Sequence, residues 1–325
     1  MADNKNNGVD ATVSTTRLLK DKIDFSELTI LIGFFVIFLV MSILSPAFLS
    51  VNNLRNVVIQ ASINATLACG MTFVIISGGI DLSVGSVLAF AGVVMGSALS
   101  SGASILLALL IAILAGGACG LVNGLFITVG KLPPFISTLG MMSIARGMAL
   151  QYTGGRSVSG LPREYRAIGN DSWMGIPIII WILLVTFAVS WFILRYTRLG
   201  RYTYAMGGNE EATRLSGIRV NVYKVMVYVI SGGTAGIAAF MLAARLASAQ
   251  PIAGVMYELT AIAATVIGGT SLSGGEGKIS GTIIGALIIA VIQNGLNLLN
   301  VSSYLQQIVI GSVIIGAVLL DKYRK

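Results

Sequence analysis

The feature that most constrains this chain is a recurring run of apolar residues, mostly about 17 to 25 long. That is the length a helix needs to cross the hydrocarbon core of a bilayer. Such runs lie at about 28–45, 56–77, 83–100, 103–129, 134–153, 174–195, 222–245, 256–270, 279–299 and 304–320. A transmembrane barrel would instead show short alternating segments. Of the 325 residues, 55% are hydrophobic and only 10% charged, where a soluble domain carries roughly 25% charged residues. The expected fold is therefore an all-α polytopic membrane protein of about ten transmembrane helices. Residues 1–26 read as a cytoplasmic N-terminal tail, 27–320 as a single transmembrane domain and 321–325 as a cytoplasmic C-terminal tail.

The net charge is +8, from 21 basic against 13 acidic residues. The basic residues sit mainly in loops and tails, where they set orientation in the membrane. This excess implies no nucleic-acid partner. Arg17, Lys20 and Lys22 precede the first run, and the C-terminus is basic. Six runs precede the charged loop at 196–221 and four follow it, so the loop and both termini are expected on the cytoplasmic side. The first run is long for a signal-peptide core and is read as retained.

The sequence contains no His, so neither a Ser/His/Asp triad nor a His-ligated metal is expected. Cys69 and Cys119 stand alone in apolar surroundings, without a C-x-x-C pair, and read as buried thiols. G-G-E-G-K at 274–278 is followed by Ile279, where a phosphate-binding loop needs Ser or Thr. No ATP site, cofactor, metal or enzyme active site is expected.

Two Gly-rich stretches echo each other as G-G-x-x-L-S-x-G, at 78–85 and 268–275. A weaker echo pairs Asn123-Gly124-Leu125 with Asn294-Gly295-Leu296. Transporters are often built from internal repeats with broken helices. The count of runs puts both G-G-x-x-L-S stretches on the cytoplasmic side but makes the two N-G-L stretches run in opposite directions. One echo is accidental, or a run is miscounted.

Charge inside a membrane is costly and usually functional. Asp81 lies between two apolar runs. It either caps the helix that follows, its carboxylate accepting backbone N–H groups, or takes a direct part in transport, and the two roles can coexist. The amides of Gln60, Asn64, Asn123, Gln293, Asn294 and Asn297 recur inside the runs. They both donate and accept, which suits a hydroxyl-rich neutral solute, though any one of them could serve interhelical bonding. With Asp81 they form the candidate translocation path. Gly116-Gly117-x-x-Gly120 and Gly232-Gly233-x-x-Gly236 read as close helix packing.

The stretch Gly207-Gly208-Asn209-Glu210-Glu211-Ala212-Thr213-Arg214-Leu215-Ser216-Gly217 is charged and lies in the largest cytoplasmic loop. Asn209 can cap a short helix, Glu210 and Glu211 favour its N-terminal end, and Gly217 can end it. Arg214 lies four residues after Glu210, a spacing that allows an ion pair. A capped, charged helix outside the bilayer suits docking to a partner.

Several long motifs resemble the permease subunits of bacterial sugar-importing ABC transporters, the ribose permease family. They are S-G-G-I-D-L-S-V-G-S at 77–86, the run from Thr197 to Ile218, and A-R-L-x-S-A-Q-P at 244–251. Y-E-L-x-A-I-A-A-x-V-I-G-G-T-S-L-x-G-G at 257–275 and N-G-L-N-L-L-x-V-S-S-Y at 294–304 complete the set. The resemblance covers roughly 28–320. It implies a homodimer in the inner membrane, a cytoplasmic ATP-binding subunit and a periplasmic sugar-binding protein. It also implies that Gly207–Gly217 is the coupling helix, with Glu210, Glu211 and Arg214 as docking contacts. Ribose is the expected cargo. Xylose, galactose, arabinose, allose or autoinducer-2 are alternatives within the family, and an ion-coupled secondary transporter is the rival class.

Overall fold

A computed structural model describes the backbone of residues 25–324 and the side chains of 28–319. The expected N-terminal tail, with Arg17, Lys20 and Lys22, lies outside the described residues. The described chain is almost wholly helical. Six helices come first: α1 (Phe25–Leu44), α2 (Val51–Ile76), α3 (Val84–Ser100), α4 (Ile105–Thr128), α5 (Pro134–Thr153) and the short α6 (Arg163–Asn170). A two-stranded hairpin, β1 (Ser172–Trp173) and β2 (Ile176–Pro177), leads into α7 (Ile178–Tyr196). Then come α8 (Arg198–Gly208) and α9 (Glu210–Leu215), followed by α10 (Val220–Leu246), α11 (Tyr257–Ile267), α12 (Ile279–Leu298) and α13 (Ser303–Arg324).

Every expected apolar run becomes a helix, and α6, α8 and α9 are additional. By length and composition, α2, α4, α7, α10 and α12 are long and apolar enough to cross a membrane. The start of α2 moves from the expected 56 to Val51. Ser50 caps it, its hydroxyl accepting from Asn53 N at 3.4 Å. Helix α13 does not stop at Leu320 but carries on to Arg324.

One expected crossing is corrected. The run at 256–270 becomes α11, only 11 residues long. At 1.5 Å per residue it spans about 16 Å, roughly half the hydrocarbon core. The irregular stretch 247–256 precedes it. It starts beside Val158, which forms a β-bridge with Ala249, and reaches Gly254 beside Gly85. Non-helical backbone at membrane depth is tolerated where protein surrounds it.

At the centre stands α2, with 94% of its apolar window buried. It packs against α10, α12, α7 and α11. A central helix cannot show its polar groups to water, and the hydroxyls of α2 bond back to their own helix. Ser62, Thr66 and Thr72 donate to the carbonyls of Val58, Ser62 and Ala68 at 2.7, 2.9 and 2.7 Å. The outer surface is the reverse: Leu114, Phe135, Val185 and Ile308 are exposed. That is the surface lipid would cover. Cys69 and Cys119 are buried and free, as their surroundings predict.

The tightest helix pair is α4 against α10. A Cβ on Gly116 would overlap the Gly232 carbonyl oxygen, and one on Gly232 would overlap that of Gly116. Gly117 has nothing nearer than 3.8 Å. Only one side of the small-residue cluster therefore makes the contact. We expect Gly232→Val to lower the melting temperature of the detergent-solubilised protein by an overpacking cost of about 1–3 kcal/mol. Gly117→Ala should leave that temperature unchanged.

Candidate translocation path and coupling element

The two Gly-rich echoes become matching turns. After α2, Gly78 N–H donates to Ile75 O and Gly79 N–H to Val74 O, with Gly78 at φ +78°. After α11, Gly269 N–H donates to Val266 O and Thr270 N–H to Thr265 O, with Gly269 at φ +85°. Left-handed glycine just past a helix end satisfies its last carbonyls. The turns match one residue out of the sequence echo, Gly78 with Gly269. Both lie on the side of α8, as the count of runs requires, and α2 and α11 both run toward that side. The two N-G-L stretches do not fall in matching places: Asn123 sits beside Ser83, whereas Asn294 pairs with Asn53 at the start of α2.

From Gly79 the chain climbs back into the bundle. Asp81 is 1% exposed. Its Oδ1 accepts from Ser83 N at 2.9 Å and Ser83 Oγ at 2.6 Å, and its Oδ2 from Ser231 Oγ of α10 at 2.8 Å. It thus fixes the approach to α3, which begins at Val84, and ties that approach to α10. Asn123 Nδ2 of α4 donates to Ser83 Oγ at 3.0 Å. Three helices, α3, α4 and α10, meet on one carboxylate and its neighbours. Among the described residues, Asn123 Oδ1 and Tyr228 OH are buried with no hydrogen-bond partner.

The other amides form a separate group. Gln60 Nε2 of α2 donates to Gln293 Oε1 of α12 at 3.0 Å. Asn53 and Asn294 exchange hydrogen bonds at 2.9 and 2.8 Å. Asn297 accepts from Gln306 Nε2 at 2.8 Å, near the surface. Asn64 is buried on α2. The seven residues of the expected path are therefore not gathered at one site. None of them lines the small cavity between α3, α10 and the 247–256 stretch, which is bordered by Leu88, Gly92, Leu242, Ser248 and Gln250.

One residue near that cavity was not singled out by the sequence. Arg146, within α5, donates through Nη1 to Pro251 O at 2.7 Å and Ala253 O at 2.8 Å. This pins the irregular stretch to α5. An arginine in the middle of an apolar run was the available signal. Glu258 of α11 interacts with it electrostatically.

On the α8 side, α9 forms as expected. Asn209 Oδ1 accepts from Ala212 N at 2.9 Å, and Gly217 ends the helix at φ +80°. Arg214 Nη2 meets Glu210 Oε1 at 3.1 Å. Lys224 Nζ of α10 meets Glu210 Oε2 at 2.5 Å. Glu210 is thus a strut between α9 and α10, while Glu211 (side chain 74% exposed) and Leu215 (80%) face outward. Burial raises the Glu210 carboxyl, but hydrogen bonds and charges from Lys224 and Arg214 outweigh it and leave it below its ordinary 4.5.

A bundle with glycine-turned broken segments, a buried polar network and a capped charged helix on one face has the build of a multi-pass membrane transport component. The chain matches, over residues 53–318, the family described as branched-chain amino acid transport system / permease component, and it belongs to that family. It is 48% identical to the ribose import permease protein of Haemophilus influenzae, with 94% of each chain covered. It is 47% identical to the ribose import permease protein of Bacillus subtilis, covering 90% of this chain and 91% of the relative. It is 41% identical to the D-allose transport system permease protein of Escherichia coli, covering 89% and 90%. No solved structure matches the chain.

Two outcomes follow from this geometry. Asp81→Leu removes the acceptor of three buried donor groups and should destabilise by at least about 1–3 kcal/mol. Thermal unfolding in detergent measures this, and Asp81→Asn, which keeps an acceptor, should cost less. Glu210, with its folded pKa lowered, stabilises α9 fully above its unfolded pKa and progressively less as pH falls through the folded one. Hydrogen-exchange protection at 210–215, taken relative to the intrinsic rate at each pH, should therefore fall as pH drops below 4.5. Lys224→Gln should weaken that dependence.

Proposed function

We propose that this chain is the permease subunit of an ATP-driven ABC importer that carries ribose across the bacterial inner membrane. The observation that carries the reading is the gradient of identity: 47–48% to ribose import permeases from three organisms, against 41% for a D-allose and 37% for an L-arabinose permease. The family description names branched-chain amino acids, so the family carries the architecture and the relatives carry the cargo.

On this reading residues 27–320 form one membrane domain that pairs with a second copy, and both termini are cytoplasmic. A cytoplasmic ATPase docks on Gly207–Gly217. Glu211, Arg214 and Leu215 are the contacts, because they face outward while Glu210 is held by Lys224. A periplasmic sugar-binding protein docks on the opposite face. Arg156, Arg163 and Arg166 are exposed there, and so is the hairpin bearing Trp173. ATP binding and hydrolysis then rock the bundle between outward- and inward-facing states. Transport proceeds through Gln60, Asn64, Asp81, Asn123, Gln293, Asn294 and Asn297 as pathway or as gate supports.

The test is uptake of labelled ribose by cells lacking this chain and complemented at matched membrane levels. Uptake should survive an uncoupler while ATP is held constant. Glu211→Lys combined with Leu215→Asp should cut it by at least about tenfold, the loss of roughly 1.4 kcal/mol or more of docking energy. Uptake that collapses with the ion gradient and tolerates both substitutions would instead identify a secondary transporter.

A further inference from the structure

Three glycine pairs meet on the α8 side of the bundle. Gly78–Gly79 follow α2, Gly207–Gly208 end α8, and Gly274–Gly275 lie in the loop before α12. Gly275 N–H donates to Ile76 O, the last residue of α2, at 2.9 Å. A helix end leaves such carbonyls without intrahelical partners, so the second broken segment completes the first.

Gly207 sits on this bond. A Cβ at Gly207 would overlap both Ile76 O and Gly275 N. A Cβ at Gly274 would stand 2.8 Å from Gly207 O and 3.1 Å from Gly78 Cα. Tyr204, one turn earlier on α8, donates through its hydroxyl to Gly277 O at 2.7 Å. The backbone of α8 therefore lies directly against the backbone of both broken segments. Side chains can change rotamer and absorb a displacement, but backbone in contact with backbone has no such slack.

The two ends of this contact lead to functional elements. Three residues after Gly207, α9 begins, joined through the extended Asn209. Two residues after Gly79 stands Asp81, bonded to Ser231 of α10. We propose that this glycine junction, with Gly207 at its centre, transmits motion of α8 and α9 into both broken segments, so that Gly207 is a positioning residue for transport. The inference rests on the reading of α9 as the ATPase-docking helix.

The test uses the permease co-expressed with its ATPase, reconstituted in proteoliposomes with its binding protein, labelled ribose and ATP. Gly207→Ala is compared with Gly117→Ala on α4, whose added Cβ would have nothing nearer than 3.8 Å. Gly207→Ala should keep the ATPase bound through purification and hydrolyse ATP within about twofold of wild type. Sugar moved per ATP should fall by at least about tenfold, as expected when a distant displacement misaligns a working site. Gly117→Ala should match wild type in all three readouts. Gly207→Ala that transports with the wild-type ratio, or that cannot be told from Gly117→Ala, overturns the proposal. A Gly207→Ala chain that does not accumulate passes the decision to Tyr204→Phe. That variant should lower the ratio about threefold, the loss of one net hydrogen bond, and an unchanged ratio overturns the proposal. The wild-type arm separates this from the functional reading. If wild type binds no ATPase, the docking reading fails, and the junction proposal falls with it.

Discussion

The structure depends on backbone meeting backbone inside the membrane. Lipid tails are as apolar as leucine, so burying apolar side chains gives helices little reason to associate there. Dispersion contacts and hydrogen bonds must do it, and both grow steeply as helices approach. Gly116 and Gly232 let α4 and α10 touch at their carbonyls. Gly268 and Gly281 do the same for the α11 end and α12. A methyl group at any of these positions would hold the pair apart and weaken every contact along it. The scattered glycines are thus the means by which a weakly driven bundle becomes specific.

Close packing raises a second demand, because a tightly closed bundle has no water for its polar groups. The hydroxyls of α2 bond back to their own helix. Arg146 is satisfied by two carbonyls of the irregular stretch 247–256, which in turn needs donors because it has left helical geometry. Asp81 is satisfied by Ser83 and Ser231. Each charge is met where a helical ladder is interrupted, so that interruption and charge relieve one another.

The sequence made local features legible and left long-range ones hidden. Apolar runs located ten of the thirteen helices among the described residues, because span length is set by the bilayer. Helix α9 could be read from Asn209, Glu210 and Gly217 because cap, dipole and stop signals act within a few residues. The second partner of Glu210 could not, since Lys224 lies on the next helix and nothing local points to it. The repeat was visible in G-G-x-x-L-S, yet its register was one residue out. A turn is fixed by which glycine takes a positive φ, and adjacent glycines look alike in sequence. The break before α11 was missed because 256–270 is as apolar as a full span, and length alone separates them. For the path, residue type was informative and position was not. Gln60 with Gln293 and Asp81 with Asn123 come together, but as two groups.

That separation bears on how such a bundle can move a sugar without holding it tightly. The amides between α2 and α12 are already satisfied by each other, Gln60 with Gln293 and Asn53 with Asn294. On the proposed reading, a hydroxyl-rich solute passing this interface exchanges one neutral hydrogen bond for another. Such an exchange changes the free energy little, because the net worth of each bond is only about 1 kcal/mol. A surface of that kind lowers the barrier to passage without forming a deep well, and a shallow site releases its cargo quickly. Affinity and discrimination must then come from outside the bundle, from the protein that delivers the sugar. The direction of transport must come from whatever moves α9.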